Sequence, residues 1–480
     1  MQIISWQFVV FVLVVLAVYY LLPRRGQNIW LLTASIGFMA TWNVYSVVVL
    51  VVTVLVNYYA GRKIWRGDVK QKKWLWLGIG VNLTALFFFR FESSGYLERA
   101  IRALLSLSDP VNSFEMRILL PVGFSYYCLQ AISYLVDVAQ KQCKASTNLV
   151  DFALYMAYFP RMLSGPIERA RSFLPLLSTQ RVVDNEAISR GFARIVIGLV
   201  RKVVIAGILS GYIAKNLFSS PASYSTLELI FQVFLYAVWV YNDFAGYTSI
   251  VRGISDFLGI PLSPNFNTPY FAHSFTDFWN RWHISLSYWL RDYIFFPLSR
   301  HLLRRKVNPR SAIYLAVPPL AAMLVSGLWH NFGAYMIFWG LLHGIFQALE
   351  KLSARGKPVV KWEDRLLYRR LASIVMVFLG VVLTWIPFAS GSLSRVGGFM
   401  KAVFTSTVIP DITTLWLIPF FAITINFGLD LLQYRHNDEL AIRRWPVFAQ
   451  SALLAIALLA ILVSFLGSQT ALASFVYQGF

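Results

Sequence analysis

Charge is scarce in this chain and acidic charge scarcer: of 480 residues 14% are Asp, Glu, Lys or Arg, and only 22 are acidic. Cysteine is nearly missing, at Cys128 and Cys143 alone. On one helix these two would stand about 22 Å apart, too far for a bridge, which leaves no disulfide framework and no cysteine-held metal. Several signatures of soluble enzymes are also missing: no GxxxxGKS phosphate loop, no HExxH metal motif and no GxSxG nucleophile elbow. The histidines have no short ligand spacing, so no metal is expected. Short segments of alternating hydrophobicity, the mark of a membrane β-barrel, are absent as well.

What fills the chain instead is apolar sequence, 58% hydrophobic and 16% aromatic. Runs long enough to cross a bilayer as helices recur throughout, most clearly at 3–22, 44–60, 74–91, 117–138, 227–251, 371–389 and 446–467. The fold class expected is an all-α polytopic membrane protein of about twelve spans, built as one membrane-embedded domain over 1–480. The first run lacks a basic n-region and a small-residue cleavage site, and Arg24 and Arg25 follow it; it reads as a retained span, not a signal peptide. Net charge is +21, which in a soluble protein would suggest nucleic acid. Here it lies in short loops at 61–73, 300–310 and 351–370, with smaller clusters at 24–25, 141–144 and 435–444. Placed in the cytoplasm, these loops orient the chain with Met1 and the 468–480 tail outside, and no basic domain remains for nucleic acid.

Two stretches resist this threading. Residues 149–160 are apolar but too short to span, and Arg161, Glu168, Arg169 and Arg171 follow at once. Residues 277–299 are helix-like, polar on one face and followed by basic sequence. Both read as re-entrant or interfacial, and two such segments imply an internal chamber.

Taken as one helix, 277–293 places Asn280, His283, Ser287 and Arg291 on a single face opposite Phe278, Trp282, Leu286, Leu290 and Tyr293. Such a stripe suits hydrogen bonding to a polar ligand, and the same pattern fits an amphipathic helix in the headgroup region. His330 ends an apolar segment broken by Pro318-Pro319 and follows Trp329. A neutral imidazole there can take a proton from an attacking hydroxyl and later return it; the alternative is a histidine bonded to a carbonyl with no chemical role. His343 reads as structural, and His301 and His436 as solvated. Asp243, beside Asn242 in an apolar run, needs a partner if buried, and Asp137 has Lys141 one turn on.

Several of these stretches resemble the membrane-bound O-acyltransferases (MBOAT), closest to the bacterial alginate O-acetylation branch, with the teichoic-acid D-alanyl transferases as cousins. The matching residues are LLPVGFSYY at 119–127, ISYLVDV at 132–138, FPRMLSGPI at 159–167, DFAGY at 243–247, NFNTPY at 265–270, FWNRWHISLSYWLRDY at 278–293 and GLWH at 327–330. They cover most of 115–350. The resemblance implies a helical funnel around a central tunnel with re-entrant helices, in the bacterial inner membrane. It implies His330 as the catalytic histidine and His283 as a second site residue. The donor implied is cytoplasmic acetyl-CoA, with no bound cofactor, and the acceptor an exported or cell-envelope polysaccharide, alginate-like or peptidoglycan, reached in some systems through a periplasmic SGNH-type acetyltransferase. Asn280, Ser287, Arg291, Asp243 and Trp329 are the substrate-binding or orienting candidates. The FVYQGF ending at 475–480 resembles an aromatic tail of the branch, which implies Tyr477 as a transient acyl carrier. The chain departs from the pattern at Ser299-Arg300, Thr248-Ser249 and Asn331, which bears on the substrate and leaves the reaction class alone. D-alanyl transfer, and a transporter with a polar intramembrane path, are the alternatives.

Overall fold

The computed structural model describes residues 1–67, 70–93, 120–357, 362–410 and 417–467. Among these it is helical, with one isolated antiparallel bridge, Phe266 to Trp282. The chain falls into two compact units, one of 1–191 with 254–263 and one of 192–253 with 264–480.

The first unit carries α1 (Trp6–Leu21), α2 (Arg24–Ala40), α3 (Val44–Trp65), α4 (Gln71–Ser93), α5 (Phe124–Ala139), α6 (Leu149–Ala157) and α7 (Ala170–Ser178). Side chains that accept from free backbone N–H groups set several starts: Ser5 for α1, Asn43 for α3 and Asn148 for α6. α3 and α4 are joined within their apolar surfaces by a reciprocal amide pair, Asn57 Nδ2 to Asn82 Oδ1 at 3.2 Å and Asn82 Nδ2 to Asn57 Oδ1 at 2.8 Å. Such polar pairs hold helices together where lipid offers no hydrophobic drive. α5 is buried on nearly every face, as a core helix must be. In the described part of the 117–138 run, residues 120–123 lie outside the helix and α5 begins at Phe124. α6 has nine residues, about 13 Å of rise and too short to cross a bilayer, as the sequence implied. Arg161 beyond it is buried, with its guanidinium 4.5 Å from the Phe173 ring centroid.

The division falls within α8 (Asn185–Leu199), whose residues from Phe192 belong to the second unit; the helix widens through a π turn at Val200–Ile205 and continues as Ala206–Tyr212. It is followed by α9 (Thr226–Phe257), α10 (Phe275–Arg281), α11 (Ile284–Leu290), a π turn at Arg291–Phe295 and α12 (Phe296–Arg304). The rest are α13 (Ala312–His330), α14 (Ala334–Ser353), α15 (Leu367–Ser390), α16 (Leu393–Thr405), α17 (Leu417–His436) and α18 (Val447–Gly467).

Seven helices among the described residues are long and apolar enough to span: α3, α4, α9, α13, α15, α17 and α18. The protein is a multi-pass membrane protein. In α9, 67% of the apolar window is buried, against 6% in α18, so α9 is a core span and α18 faces outward.

One expectation about α13 fails. Pro318-Pro319 do not break the segment; the helix runs through them from Ala312 to His330. Ser311 fixes its start, accepting from Tyr314 N at 3.2 Å. Proline is tolerated inside membrane helices where neighbouring groups take up the released carbonyls. α13 and α14 then form a hairpin with their backbones in contact. A Cβ at Gly327 would lie 2.3 Å from the Met336 carbonyl oxygen, and one at Gly340 would lie 2.5 Å from that of Met323. No larger residue fits at either point without separating the helices.

Candidate active site

The hairpin fixes His330. It is the last residue of α13, and Asn331 turns the chain by accepting from Gly333 N at 2.8 Å before α14 begins. The His330 ring is buried, 4.8 Å from Trp329 and 5.4 Å from both Trp339 and Phe388, all roughly edge-on.

α10 has a well-defined start. Ser274 accepts from Asp277 N at 3.0 Å, and Glu350 of α14 accepts from Phe275 N at 2.7 Å and Thr276 N at 3.2 Å. The single helix expected over 277–293 does not form. It stops at Arg281 and restarts at Ile284, with His283 in the left-handed region at φ 43°, ψ 53°. The competitor is the segment 265–267. Asn267 N donates to the Arg281 carbonyl at 3.0 Å, Ile284 N donates to the Asn265 carbonyl at 2.9 Å, and Asn265 Oδ1 accepts from Ser285 N at 3.3 Å. These bonds replace those a continuous helix would have made.

The break divides the expected polar face. Asn280, Ser287 and Arg291 stay together and line a cavity of about 180 Å³ with Gln347 and Lys351, over an apolar floor that includes Pro319, Ala322 and Met323. His283 does not line it. Its ring is buried, 4.9 Å from Phe244 and 6.2 Å from Trp329. Trp329 thus packs on both imidazoles. The cavity and His330 are linked through rings: Trp279 lines the cavity and packs on Trp339 at 5.8 Å, and Trp339 packs on His330. His343 accepts from Trp279 Nε1 at 3.3 Å and is buried, while His301 and His436 are exposed.

Asp243 is buried and paired with Lys202 on the π turn of α8. This supplies the partner that the sequence required. Lys141 donates to the Trp65 carbonyl at 3.1 Å. Both cysteines are free and buried. Tyr477 lies outside the described residues.

The sequence profile of the membrane-bound O-acyltransferase family (MBOAT) matches residues 28–386. The chain belongs to that family. A probable alginate O-acetylase of Pseudomonas syringae pv. tomato is 31% identical to this O-acyltransferase, over 89% of this chain and 82% of the relative. One from Azotobacter vinelandii is 33% identical over 81% and 75%. A peptidoglycan O-acetyltransferase of Helicobacter pylori is 29% identical over 80% and 76%. The protein is therefore a membrane acyltransferase.

Sequence reasoning missed two charged clusters in this O-acyltransferase. Arg201 is buried and donates to Asp430, to Asn242 Oδ1 at 3.1 Å and to Asn426 Oδ1 at 3.3 Å. Glu439 accepts from Arg194 and Arg252 together. The signals were there: Arg201-Lys202 and Asp430 are charges inside apolar runs. Burial alone would raise the Glu439 carboxyl, but Arg252 and Arg194 outweigh it and hold it at about 2. A depressed carboxylate stabilises the fold above its unfolded pKa of 4.5, and that contribution is lost as pH falls toward 2. Thermal midpoints of wild type and Glu439→Gln are expected to differ at pH 6 and to converge between pH 4.5 and 2. A gap that persists at the acid end would rule out this linkage.

Proposed function

We propose that this O-acyltransferase moves acetyl groups from cytoplasmic acetyl-CoA to hydroxyls of an exported or cell-envelope polysaccharide, alginate-like or peptidoglycan, in the bacterial inner membrane. The observation that carries the reading is the pair of buried imidazoles, His330 and His283, both packed on Trp329. The names of the alginate and peptidoglycan O-acetylating relatives support the acceptor class. The wider architecture proposed is one membrane domain, a funnel of about twelve spans around a tunnel.

His330 takes the proton of the acceptor hydroxyl as its oxygen attacks the thioester carbonyl. The carbon–sulfur bond then breaks, and the imidazolium returns the proton to the departing thiolate, which leaves as coenzyme A. His283 and Trp329 hold the acyl group in line. Asn280, Ser287 and Arg291 line the 180 Å³ cavity and bind the donor arm, a part separate from that of His283 because the helix break turns them apart. Asp243, neutralised by Lys202, orients α9, whose Phe244 packs on His283. On the route through a carrier, the first acceptor hydroxyl is the Tyr477 phenol, and its acetyl ester is passed at the outer side to an SGNH-type acetyltransferase, which completes delivery and frees the phenol. The thioester supplies the driving force.

Envelope polysaccharide from cells lacking this chain is expected to lose ester-linked acetate and to regain it with the wild-type gene. Unchanged acetate in the deleted strain would overturn the reading. Mass spectrometry of the C-terminal peptide after labelled acetyl-CoA locates the Tyr477 ester.

A further inference from the structure

Away from the imidazoles, the second unit holds a small polar cavity walled by α8, α9, residues 265–268 and the turn after α17. Its lining includes three arginines, Arg194, Arg201 and Arg252, and one carboxylate, Glu439. Arg201 is already satisfied by Asp430. Arg194 and Arg252 converge on Glu439 as two forks: Arg194 reaches Oε1 through Nε at 2.9 Å and through Nη2, while Arg252 reaches Oε2 through Nη1 and Oε1 through Nη2 at 3.1 Å. Two forked arginines on one oxyanion is the arrangement proteins use for phosphate as well as carboxylate. With Glu439 in place the remaining space is about 30 Å³, room for little more than water.

Two further observations point to a ligand. Asn265 is 1% exposed and lines the cavity, and its Nδ2 donor meets no acceptor. A buried donor left without an acceptor is costly unless something else supplies one. Thr248 and Ser249 line the same space. Glu439 is the most displaceable member: its side chain is 33% exposed, and it follows Asn437, whose φ of 46° marks a tight turn outside any helix.

We propose that Arg194 and Arg252 form a phosphoryl-binding cradle in which Glu439 is a resident stand-in, displaced when a phosphate ester or diphosphate arrives to take the Asn265 amide as a further donor. The Asn265 backbone and side chain also hold the start of α11 beside His283, so an anion in the cradle bears on the segment that sets the His283 backbone. The phosphoryl group could belong to a soluble nucleotide-bearing donor or to a lipid headgroup. The cradle chemistry is the same for both and does not depend on the role assigned to His330.

The test is binding of inorganic pyrophosphate to the purified full chain in detergent, read from the thermal midpoint at ionic strength held constant with potassium chloride. Removing the internal competitor in Glu439→Gln is expected to tighten pyrophosphate binding by about 10-fold, the scale of one charge-assisted bond. Arg252→Met is expected to abolish the response in either background. Glu439→Asp, which keeps the charge on a shorter arm, should fall between and serves if the glutamine variant does not fold. Adenosine 3′,5′-diphosphate and dihexanoyl phosphatidate are then titrated separately. A gain over pyrophosphate with the first assigns the cradle to a soluble donor, and a gain with the second assigns it to a lipid. Equal pyrophosphate responses in wild type, Glu439→Gln and Arg252→Met would overturn the proposal and leave the cluster as a structural latch.

Discussion

Replacing His330 with alanine is expected to lower acetyl transfer by about 10²–10⁴-fold, the contribution of a positioned acid–base group. The ring is sealed among Trp329, Trp339 and Phe388, so alanine also leaves a void, and a fall in stability alone could mimic lost chemistry. His330→Gln retains most of the volume and a hydrogen-bonding end but cannot shuttle a proton near neutral pH. It should be nearly as inactive while melting close to wild type. His343→Ala provides the contrast. His343 is equally buried and accepts from Trp279 at 3.3 Å, so its loss should lower the thermal midpoint and leave kcat close to wild type. The measurement is coenzyme A thiol release by protein in proteoliposomes, with the thermal midpoint recorded beside it. A folded His330→Gln protein that keeps more than a tenth of wild-type turnover would remove the general-base role.

The largest effect on stability is expected at Asp430. It is fully buried on α17, receives Arg201 and accepts from Tyr241 Oη at 3.1 Å. Asp430→Ala strands a buried guanidinium, and breaking such a pair from one side costs about 3–5 kcal/mol. Asn242 and Asn426 cannot compensate, since each already accepts from Arg201 in the intact network. The double variant Arg201→Met with Asp430→Leu removes both charges and should recover much of the loss. Thermal unfolding of the three proteins in one detergent checks this. A double variant no more stable than Asp430→Ala would show that the network, and not the unpaired charge, sets the cost.

Much of the fold was legible because a bilayer leaves few solutions: apolar runs of span length had to be helices, and short ones followed by charges could not cross. The nine-residue α6 follows from that reasoning. The break at His283 did not. Helical spacing continues through Trp282 and His283 with no glycine or proline to interrupt it, and the decisive partner, Asn265, lies on a separate segment whose backbone bonds leave no pattern in the sequence. Proline misled in the opposite direction at Pro318-Pro319, where packing outweighed local preference. The charge clusters escaped for a third reason. Arg201 and Asp430 are far apart in sequence, and Glu439 sits in a basic stretch that reads as solvated loop.

The α13–α14 hairpin has a mechanical consequence. With backbones in van der Waals contact at Gly327 and Gly340, neither helix can slide or tilt without collision, and His330 at its tip behaves as a fixed anvil. The run from α10 to α12 is jointed: a left-handed residue at His283 and a π turn at Arg291–Phe295 divide it into short rods. Joints of this kind are where a helical protein yields. The conformational freedom of this region therefore lies in the segment that carries Asn280, Ser287 and Arg291 and not in the hairpin that carries His330.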